Sequence, residues 1–171
     1  MPNATLKVVI SPPSRKNQPG RGFYQLEEDS LYVPIGGYST NRRFFSSIES
    51  ETVRFDMDKN GELLFIEVSL PRKKWKVDQS LTVPLHATPA DIRWLDFRAD
   101  FDSPPVTTSP DRLIVCVTLS NDKPTETHYL AESVILETVN GKQACRIWIT
   151  QIIDDAGGRE IAAFRKQHPA S

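Results

Sequence analysis

The chain has 171 residues, of which 39% are hydrophobic and 25% charged, and its net charge is −1 at neutral pH. This length suits one ordinary domain, and the composition excludes a fully disordered chain, which would have low hydrophobicity and a large net charge. The near-zero charge also argues against binding to nucleic acids or membranes through overall charge. Prolines outnumber glycines 13 to 8, which indicates many short elements rather than long helices.

The N-terminal residues Met1–Lys7 lack the basic start and apolar segment of a secretory signal, and no apolar run reaches the length of a membrane span. Cys116 and Cys145 have no metal-ligand spacing and lie within apolar runs. This placement favours two reduced, buried thiols over a disulfide. We therefore expect a soluble, cytoplasmic protein without a membrane partner.

Two parts of the chain resemble each other at a nearly constant offset, which predicts an internal repeat. Asp29–Ile35 is similar to Asp111–Val117, and Glu51–Gly61 is similar to Glu132–Gly141. The stretches Glu51–Gly61 and Glu132–Gly141 both end in Asn-Gly, and each is followed by a new apolar run. We predict one domain, residues 1–171, made of repeat one (1–86) and repeat two (87–171). Chance similarity between β-rich stretches is the alternative.

The predicted elements of repeat one are, in chain order, a strand at 6–10, an exposed loop at 11–22, and strands at 29–35, 51–58, 62–70 and 81–85. Within the third strand Val53, Phe55 and Met57 alternate with polar residues, the period-2 pattern of a half-buried strand. Asn60-Gly61 then predicts a hairpin with a type I′ turn, which needs positive φ at both central residues. The following strand has one apolar face, formed by Leu64, Ile66, Val68 and Leu70.

The predicted elements of repeat two are, in chain order, a strand at 92–98, an exposed loop at 102–110, and strands at 111–117, 132–139, 142–153 and 161–165. Residues 89–100 are ambiguous. Thr88-Pro89-Ala90-Asp91 has the signature of a helix start, whereas alignment with 6–10 favours a strand. We favour the strand and leave the helix open. The strand at 142–153 is apolar on both faces, so we expect it to be covered on both sides.

These elements predict an all-β protein with an internal duplication: two five-stranded antiparallel units that form one pseudo-twofold sandwich or barrel. One shared core is expected because neither half alone buries much apolar surface. Pro34 and Pro84 cannot donate ladder hydrogen bonds, so their strands should lie at sheet edges or end there. Cys116 stands in the place of Pro34 in the repeat alignment, so its strand can be central.

Residues 23–75 contain the stretches Asp29-Ser30-Leu31-Tyr32-Val33 and Asp56–Val68. These stretches resemble a small bacterial β-rich family of unknown function. Its members are single short units with a D-x-L-Y-[IV] strand and a D-x-D-x-x-G hairpin. Residues 111–153 look like a diverged second copy that lacks the acidic residues. The resemblance implies a β-hairpin architecture and carries no activity with it.

The hairpin also fits the spacing of an EF-hand calcium loop, with oxygen ligands and glycine at Asp56, Asp58, Asn60, Gly61 and Glu67. An EF-hand needs helices on both sides of the loop, but here the flanking residues alternate as strands do. We therefore favour a plain hairpin with solvated acids, and weak calcium binding is the alternative.

Two basic segments contain aromatic residues. Arg72–Lys76 places four cations around Trp75, and Arg42–Phe45 has two arginines before two phenylalanines. Such residues suit phosphate contact with base stacking, or a charged strand edge that blocks aggregation. The near-zero net charge favours the second explanation and disfavours nucleic-acid binding.

Catalytic patterns are scarce. His86, His128 and His168 have no zinc-type spacing, and the chain contains no nucleophile elbow, P-loop or dinucleotide-binding motif. A thiol–base pair of His128 with Cys116 or Cys145 is less expected than two core cysteines. An anion cradle at Gly36–Thr40 is less expected than a flexible connection. We predict no catalytic, cofactor-binding or metal-binding residues and no cofactor, and leave open whether the protein is an enzyme.

The sequence therefore favours a β-rich binding or interaction module without evident catalysis. Its partner would be another protein or a second copy of the chain. The expected contact surface lies on Arg42–Phe45 and Arg72–Lys76 or in the groove between the two units. The alternatives are a small-ligand-binding barrel or unrecognised hydrolase, and a weak calcium or nucleic-acid binder.

Overall fold

The computed structural model describes residues 5–36 and 43–168. The first half of the chain contains β1 (Val8–Ser11), β2 (Phe23–Gln25), β3 (Ser30–Pro34), β4 (Ser46–Glu49), β5 (Val53–Met57), β6 (Leu63–Val68) and β7 (Lys76–Val77), with a 3₁₀ turn at Arg72–Lys74. The second half contains β8 (Thr88–Pro89), β9 (Asp91–Trp94), β10 (Ala99–Asp100), β11 (Val106–Thr108), β12 (Val115–Thr118), β13 (Glu126–Ala131), β14 (Val134–Val139), β15 (Gln143–Ile149), β16 (Ile153–Asp155) and the helix α1 (Arg159–Gln167).

The strands form two seven-stranded sheets and one two-stranded ribbon, in which β1 pairs with β9. Sheet one has the order β10-β4-β5-β6-β3-β2-β16, and sheet two has the order β7-β11-β12-β15-β14-β13-β8. The five central strands of each sheet are antiparallel, and a short parallel strand is added at each edge. The predicted all-β class is confirmed. Neither sheet closes on itself, so the barrel alternative is wrong.

The central strands follow the same spatial order in both sheets. Sheet one has β4-β5-β6-β3-β2, and sheet two, from the corresponding edge, has β13-β14-β15-β12-β11. Strands β2 to β6 therefore correspond one by one to β11 to β15. The outer strands are exchanged between the halves, since β7 pairs with β11 and β16 pairs with β2. This matching order supports the duplication into residues 1–86 and 87–171, which stays a prediction.

The strand pairing in the two sheets matches β3 to β12 with a shift of two residues from the alignment that the sequence suggests. Val33 pairs with Ile66, which pairs with Phe55. Val117 occupies the same place in sheet two, because it pairs with Ile147, which pairs with Leu136. Val33 thus corresponds to Val117, so Cys116 does not stand in the place of Pro34. Alternating apolar residues give the same pattern after a shift of two, so the sequence alone does not distinguish these registers.

Pro34 and Pro84 were expected to lie in strands at the edge of a sheet or at the point where a strand ends. The strand β3 lies between β6 and β2, and it ends at Pro34, as one of the two expected outcomes requires. The strand β12 is interior, as predicted. No strand contains Pro84.

One apolar core lies between the two sheets. Buried side chains from both halves of the chain form it, among them Leu31, Val33, Val53, Phe55, Ile66 and Val68 from sheet one, and Val115, Val117, Leu136, Ile147 and Ile149 from sheet two. Trp94 of the ribbon stacks on Phe55 with ring centroids 5.5 Å apart. Each such side chain contributes roughly 1.5–3 kcal/mol by leaving water.

The outer face of each sheet has its own cover. On sheet one, α1 packs Ile161 and Phe164 against Phe23. On sheet two, Leu81, Val83 and Ala87 pack against Cys116, Ile135 and Trp148. The strands predicted at 81–85 and 161–165 are therefore wrong. Residues 81–85 have no regular secondary structure and pack on the outer face of sheet two, and residues 161–165 lie within α1. Ile161 and Phe164 are three residues apart, which places them on one helix face.

Residues 89–100 contribute to β8, β9 and β10, so the favoured strand is confirmed over the helix. The short strands β2, β4, β7 and β11 and the six-residue strand β13 were not predicted, and β11 lies within the predicted loop 102–110. Gly20 and Gly22 are buried although 11–22 was expected to be an exposed loop. A register shift between Asp56 and Met57 brings Leu63, not Leu64, into the core.

The one α-helix in the described part of the chain has nine residues. No helix in this part combines the length and the apolar character that crossing a bilayer requires.

Because the halves exchange outer strands and share a core, we expect that residues 1–86 alone do not fold. This fragment lacks β9, the partner of β1, and β16, the partner of β2. Far-ultraviolet circular dichroism during a urea titration should show no cooperative transition for the fragment, and mixing it with residues 87–171 should restore one. Cooperative two-state unfolding of the isolated fragment would contradict the shared core.

Candidate functional site

The acids of the EF-hand-like spacing do not converge. Asp58 is buried, and its Oδ1 accepts the backbone N–H groups of Asn60 (2.8 Å) and Glu62 (3.1 Å), which holds the turn. Asp56 and Glu67 each lie 3.0 Å from the guanidinium of Arg54. In residues 5–36 and 43–168, no three His, Cys, Asp or Glu side chains form a group that could hold a metal ion. The expectation of solvated acids is wrong for Asp58.

The segment Arg72–Lys76 does not present its indole to solvent. Trp75 is 2% exposed, its Nε1–H donates to Leu70 O at 2.9 Å, and its ring packs edge-on against Tyr24. The Arg72 guanidinium lies 4.5 Å from the centroid of the Tyr24 ring and 2.5 Å from Asp154. Because Trp75 and Arg72 are committed to these contacts, this segment offers no stacking platform for a base.

Both cysteines are buried and free, as predicted. Burial raises the pKa of Cys116 to about 11 and also raises the pKa of Cys145. At neutral pH both are therefore thiols and not nucleophilic thiolates. The ring nitrogens of His128 face Thr88 Oγ1 and Glu126 Oε1, each at 3.3 Å, so the thiol–base pair with His128 is not formed.

The other histidines lie apart. His86 is exposed, with φ of 65°, and His168 packs on Phe164 at the end of α1. The anion cradle at Gly36–Thr40 falls on residues of which only Gly36 is described. Arg42 also lies outside the described residues.

An open groove borders the β4 side of sheet one. Phe44 and Phe45 directly precede β4, with 62% and 58% of their surface exposed. The groove has a volume of about 530 Å³, and its lining is formed by Phe44, Phe45, Ser46, Ser47, Glu49, Arg98, Ala99 and Asp100. This volume is within the range of pockets that bind ligands or side chains of a partner. We call these eight residues the aromatic groove.

Contacts with Phe97 and β5 hold Phe45 and Ser46 of the aromatic groove in place. The ring of Phe45 packs edge-on against Phe97, with centroids 5.8 Å apart, and Phe97 packs against the core. The Ser46 hydroxyl donates to Phe97 O. The backbone N–H of Phe45 donates to Met57 O at 2.9 Å, which ties the aromatic pair to β5. Tertiary contacts thus fix the chain at Phe45 and Ser46.

The second wall comes from the other half of the chain. The strand β10 runs parallel to β4, with Ala99 beside Ile48 and Asp100 beside Glu49. The Phe101 N–H donates to Glu49 O at 3.2 Å. Glu49 and Asp100 therefore occupy neighbouring positions on adjacent strands, whose backbones lie about 4.8 Å apart.

A much smaller cavity lies between the loop after β1 and the ribbon. It has a volume of about 20 Å³, and Gln18, Glu62, Asp91 and Trp94 are among its lining residues. This volume suits one water molecule and excludes a larger ligand.

The sequence identified one wall of the aromatic groove and missed the other. Phe44 and Phe45 were part of the predicted contact surface, whereas Arg98–Asp100 lay in the ambiguous segment 89–100. The wall could not be predicted because β4 and β10 are far apart in the chain and only two residue pairs join them. For Ser46 and Ser47, the only feature of the sequence that could have placed them in the groove is their position directly after Phe44 and Phe45.

A scan with protein-family models finds no match to the chain, and a search among curated proteins finds none either. The resemblance of residues 23–75 to the small β-rich family therefore stays a prediction. The geometry of the aromatic groove carries the functional argument.

Proposed function

We propose that the protein is a cytoplasmic binding module that holds a segment of a partner protein in the aromatic groove. The observation that carries the proposal is the pair Phe44 and Phe45, two consecutive rings that are both more than half exposed, with the backbone of Phe45 hydrogen-bonded to β5. Large aromatic side chains dominate the energetics of protein interfaces. The two free thiols support a reducing compartment.

The exposed rings favour association because burial of the surface that each still exposes is worth roughly 1–2 kcal/mol. The immobilisation of Phe45 matters as well. Phe45 is held by Phe97 and by the hydrogen bond to Met57, so little side-chain freedom remains to be lost on binding. A preorganised aromatic surface beside an open groove is typical of a site for a short segment of another chain.

The groove supports binding more than catalysis. Its lining contains phenylalanine, serine, alanine and charged side chains, and neither histidine nor cysteine is among the described residues that form it. The only imidazole with a hydroxyl and a carboxylate neighbour, in the described ranges, is His128 on β13 of the other sheet. We therefore propose recognition without a chemical step.

The proposal is tested by selecting displayed random peptides on the immobilised full-length protein. Enriched peptides should bind the Phe44→Ala/Phe45→Ala variant at least about tenfold more weakly in fluorescence anisotropy. The matched control is Leu85→Ala/Leu113→Ala, which removes two other exposed apolar side chains (76% and 48% exposed) and should leave affinity unchanged.

Equal thermal unfolding of the variants ensures that the comparison concerns binding. Failure to enrich any peptide, or equal affinity for the Phe44→Ala/Phe45→Ala variant, overturns the proposal. A dimer in light scattering that this variant alone abolishes would place a second copy in the groove and would likewise overturn it.

A further inference from the structure

We propose that the partner segment in the aromatic groove is basic, and that a lysine or arginine of this segment lies between Glu49 and Asp100. This inference rests on the proposed function, since it names the chemistry of the partner at the same site. It is carried by charge complementarity at one end of the groove.

Glu49 and Asp100 form a pair of like charges. They are register partners on β4 and β10, and both side chains are exposed and line the groove. Two carboxylates in neighbouring positions of a sheet repel each other. A cation placed between them removes this repulsion and forms charge-assisted hydrogen bonds with both.

The cationic side chain beside Glu49 on the neighbouring strand β5 already forms ion pairs with other acids. Arg54 is the register partner of Glu49 on β5, but its guanidinium contacts Asp56 and Glu67 at 3.0 Å each. Arg98 lines the other wall, and in the described chain it makes no ion pair with Glu49 or Asp100 within 4.0 Å. The acid pair is thus open to a cation from outside.

The same face has a further excess of acids. Across sheet one, the row that starts at Asp100 and Glu49 continues through Arg54 to Glu67, and Asp56 lies two residues from Arg54 along β5, on the same face. Burial is the main cause that raises the pKa of Asp56, and Glu67 and Glu49 add to it against the lowering effect of Arg54. A negative potential at this end of the groove attracts a basic segment and repels nucleic acid.

The two ends of the groove then recognise different parts of one segment. Phe44 and Phe45 take an apolar side chain, and Glu49 and Asp100 take a basic side chain a few residues away. The long aliphatic stem of lysine or arginine can lie over the groove while its charged end reaches the carboxylates.

The experiment repeats the peptide selection on three full-length proteins. Peptides enriched on the wild type should combine an apolar residue with lysine or arginine. On Glu49→Lys/Asp100→Lys the preference should change to aspartate or glutamate. The control Glu28→Lys/Glu132→Lys makes the same change of net charge at exposed acids outside the groove and should select the same basic peptides as the wild type.

For the best wild-type peptide, replacing its lysines or arginines with serine should weaken binding roughly five- to tenfold, and the difference should shrink at high salt. Enriched peptides that require Phe44 and Phe45 but show no charge preference overturn this inference and leave the proposed function standing. Enrichment that does not depend on Phe44 and Phe45 overturns the proposed function itself. Binding of a labelled single-stranded oligonucleotide that Phe44→Ala/Phe45→Ala abolishes would overturn both.

Discussion

Gly61→Ala is expected to destabilise the fold by roughly 2–4 kcal/mol, because it combines backbone strain with a collision. Gly61 has φ of +82°, a conformation that side chains with a Cβ rarely adopt, and a Cβ there would lie 2.4 Å from Trp94 O. The obstacle is backbone and cannot rotate away. The Trp94 N–H donates to Gly61 O at 2.8 Å, so the same approach joins the β5–β6 hairpin to the ribbon.

A matched control separates the two causes. Gly157 has φ of +65°, and nothing lies within 4 Å of a Cβ placed there, so Gly157→Ala carries the strain without the collision. We expect it to cost about 1 kcal/mol. The measurement is the free energy of unfolding from urea titrations followed by tryptophan fluorescence. Equal losses for the two variants would show that the contact between Gly61 and Trp94 contributes nothing.

Asp155→Ala is expected to cost about 2–4 kcal/mol and to release α1 from sheet one. Asp155 is 0% exposed. Its carboxylate accepts Gln25 Nε2–H at 2.7 Å and the backbone N–H groups of Glu160 (2.9 Å) and Ile161 (3.2 Å). The substitution leaves the buried Gln25 amide unpaired and removes the anion from the start of the helix.

The neighbouring residue supplies the control for Asp155. Asp154 is also an aspartate of β16, but its side chain is 55% exposed and pairs with Arg72 at the surface. Asp154→Ala should therefore cost less than about 1 kcal/mol. Losses of similar size for the two variants in urea unfolding would contradict the anchoring role of Asp155.

The contribution of Asp155 should also depend on pH. Burial by itself would raise the pKa of this carboxyl, but hydrogen bonds from Glu160 N–H, Gln25 and Ile161 N–H outweigh it and hold the pKa below its ordinary value. The folded pKa is lower than the unfolded pKa of about 3.9, so the stabilisation is present above that pH and is lost as pH falls through the folded pKa. The difference in unfolding free energy between the wild type and Asp155→Asn should be constant from about pH 7 to about pH 5 and should narrow as pH falls below about 4. A difference that does not narrow would contradict this linkage.

The hairpins show how far local sequence decides structure. At Asn140-Gly141 both residues have positive φ, 55° and 66°, as the predicted type I′ turn requires. At Asn60-Gly61 only the glycine does. There the Asp58 carboxylate accepts the backbone N–H groups of Asn60 and Glu62, and the backbone of Trp94 lies against Gly61, so a side-chain cap and a tertiary contact override the Asn-Gly preference.

The C-terminal segment shows a second kind of failure. The repeat predicts its last short strand at 161–165, but the observed helix starts after Gly157 and Gly158, both with positive φ. The Asp155 carboxylate then binds its first N–H groups. The glycines and the acid were visible in the sequence, whereas the partner that buries Ile161 and Phe164, the outer face of sheet one, was not.

The sequence by itself determined the β class, the positions of β3, β5, β6, β14 and β15 and the location of both hairpins, because alternation and turn residues are local properties. It also pointed to Phe44 and Phe45. Only the tertiary structure decided the two-residue register between the halves, the exchange of β7 and β16, and the second wall of the aromatic groove. Alternation specifies which face of a strand is apolar, but which distant strand lies beside it depends on long-range pairing that no local pattern encodes.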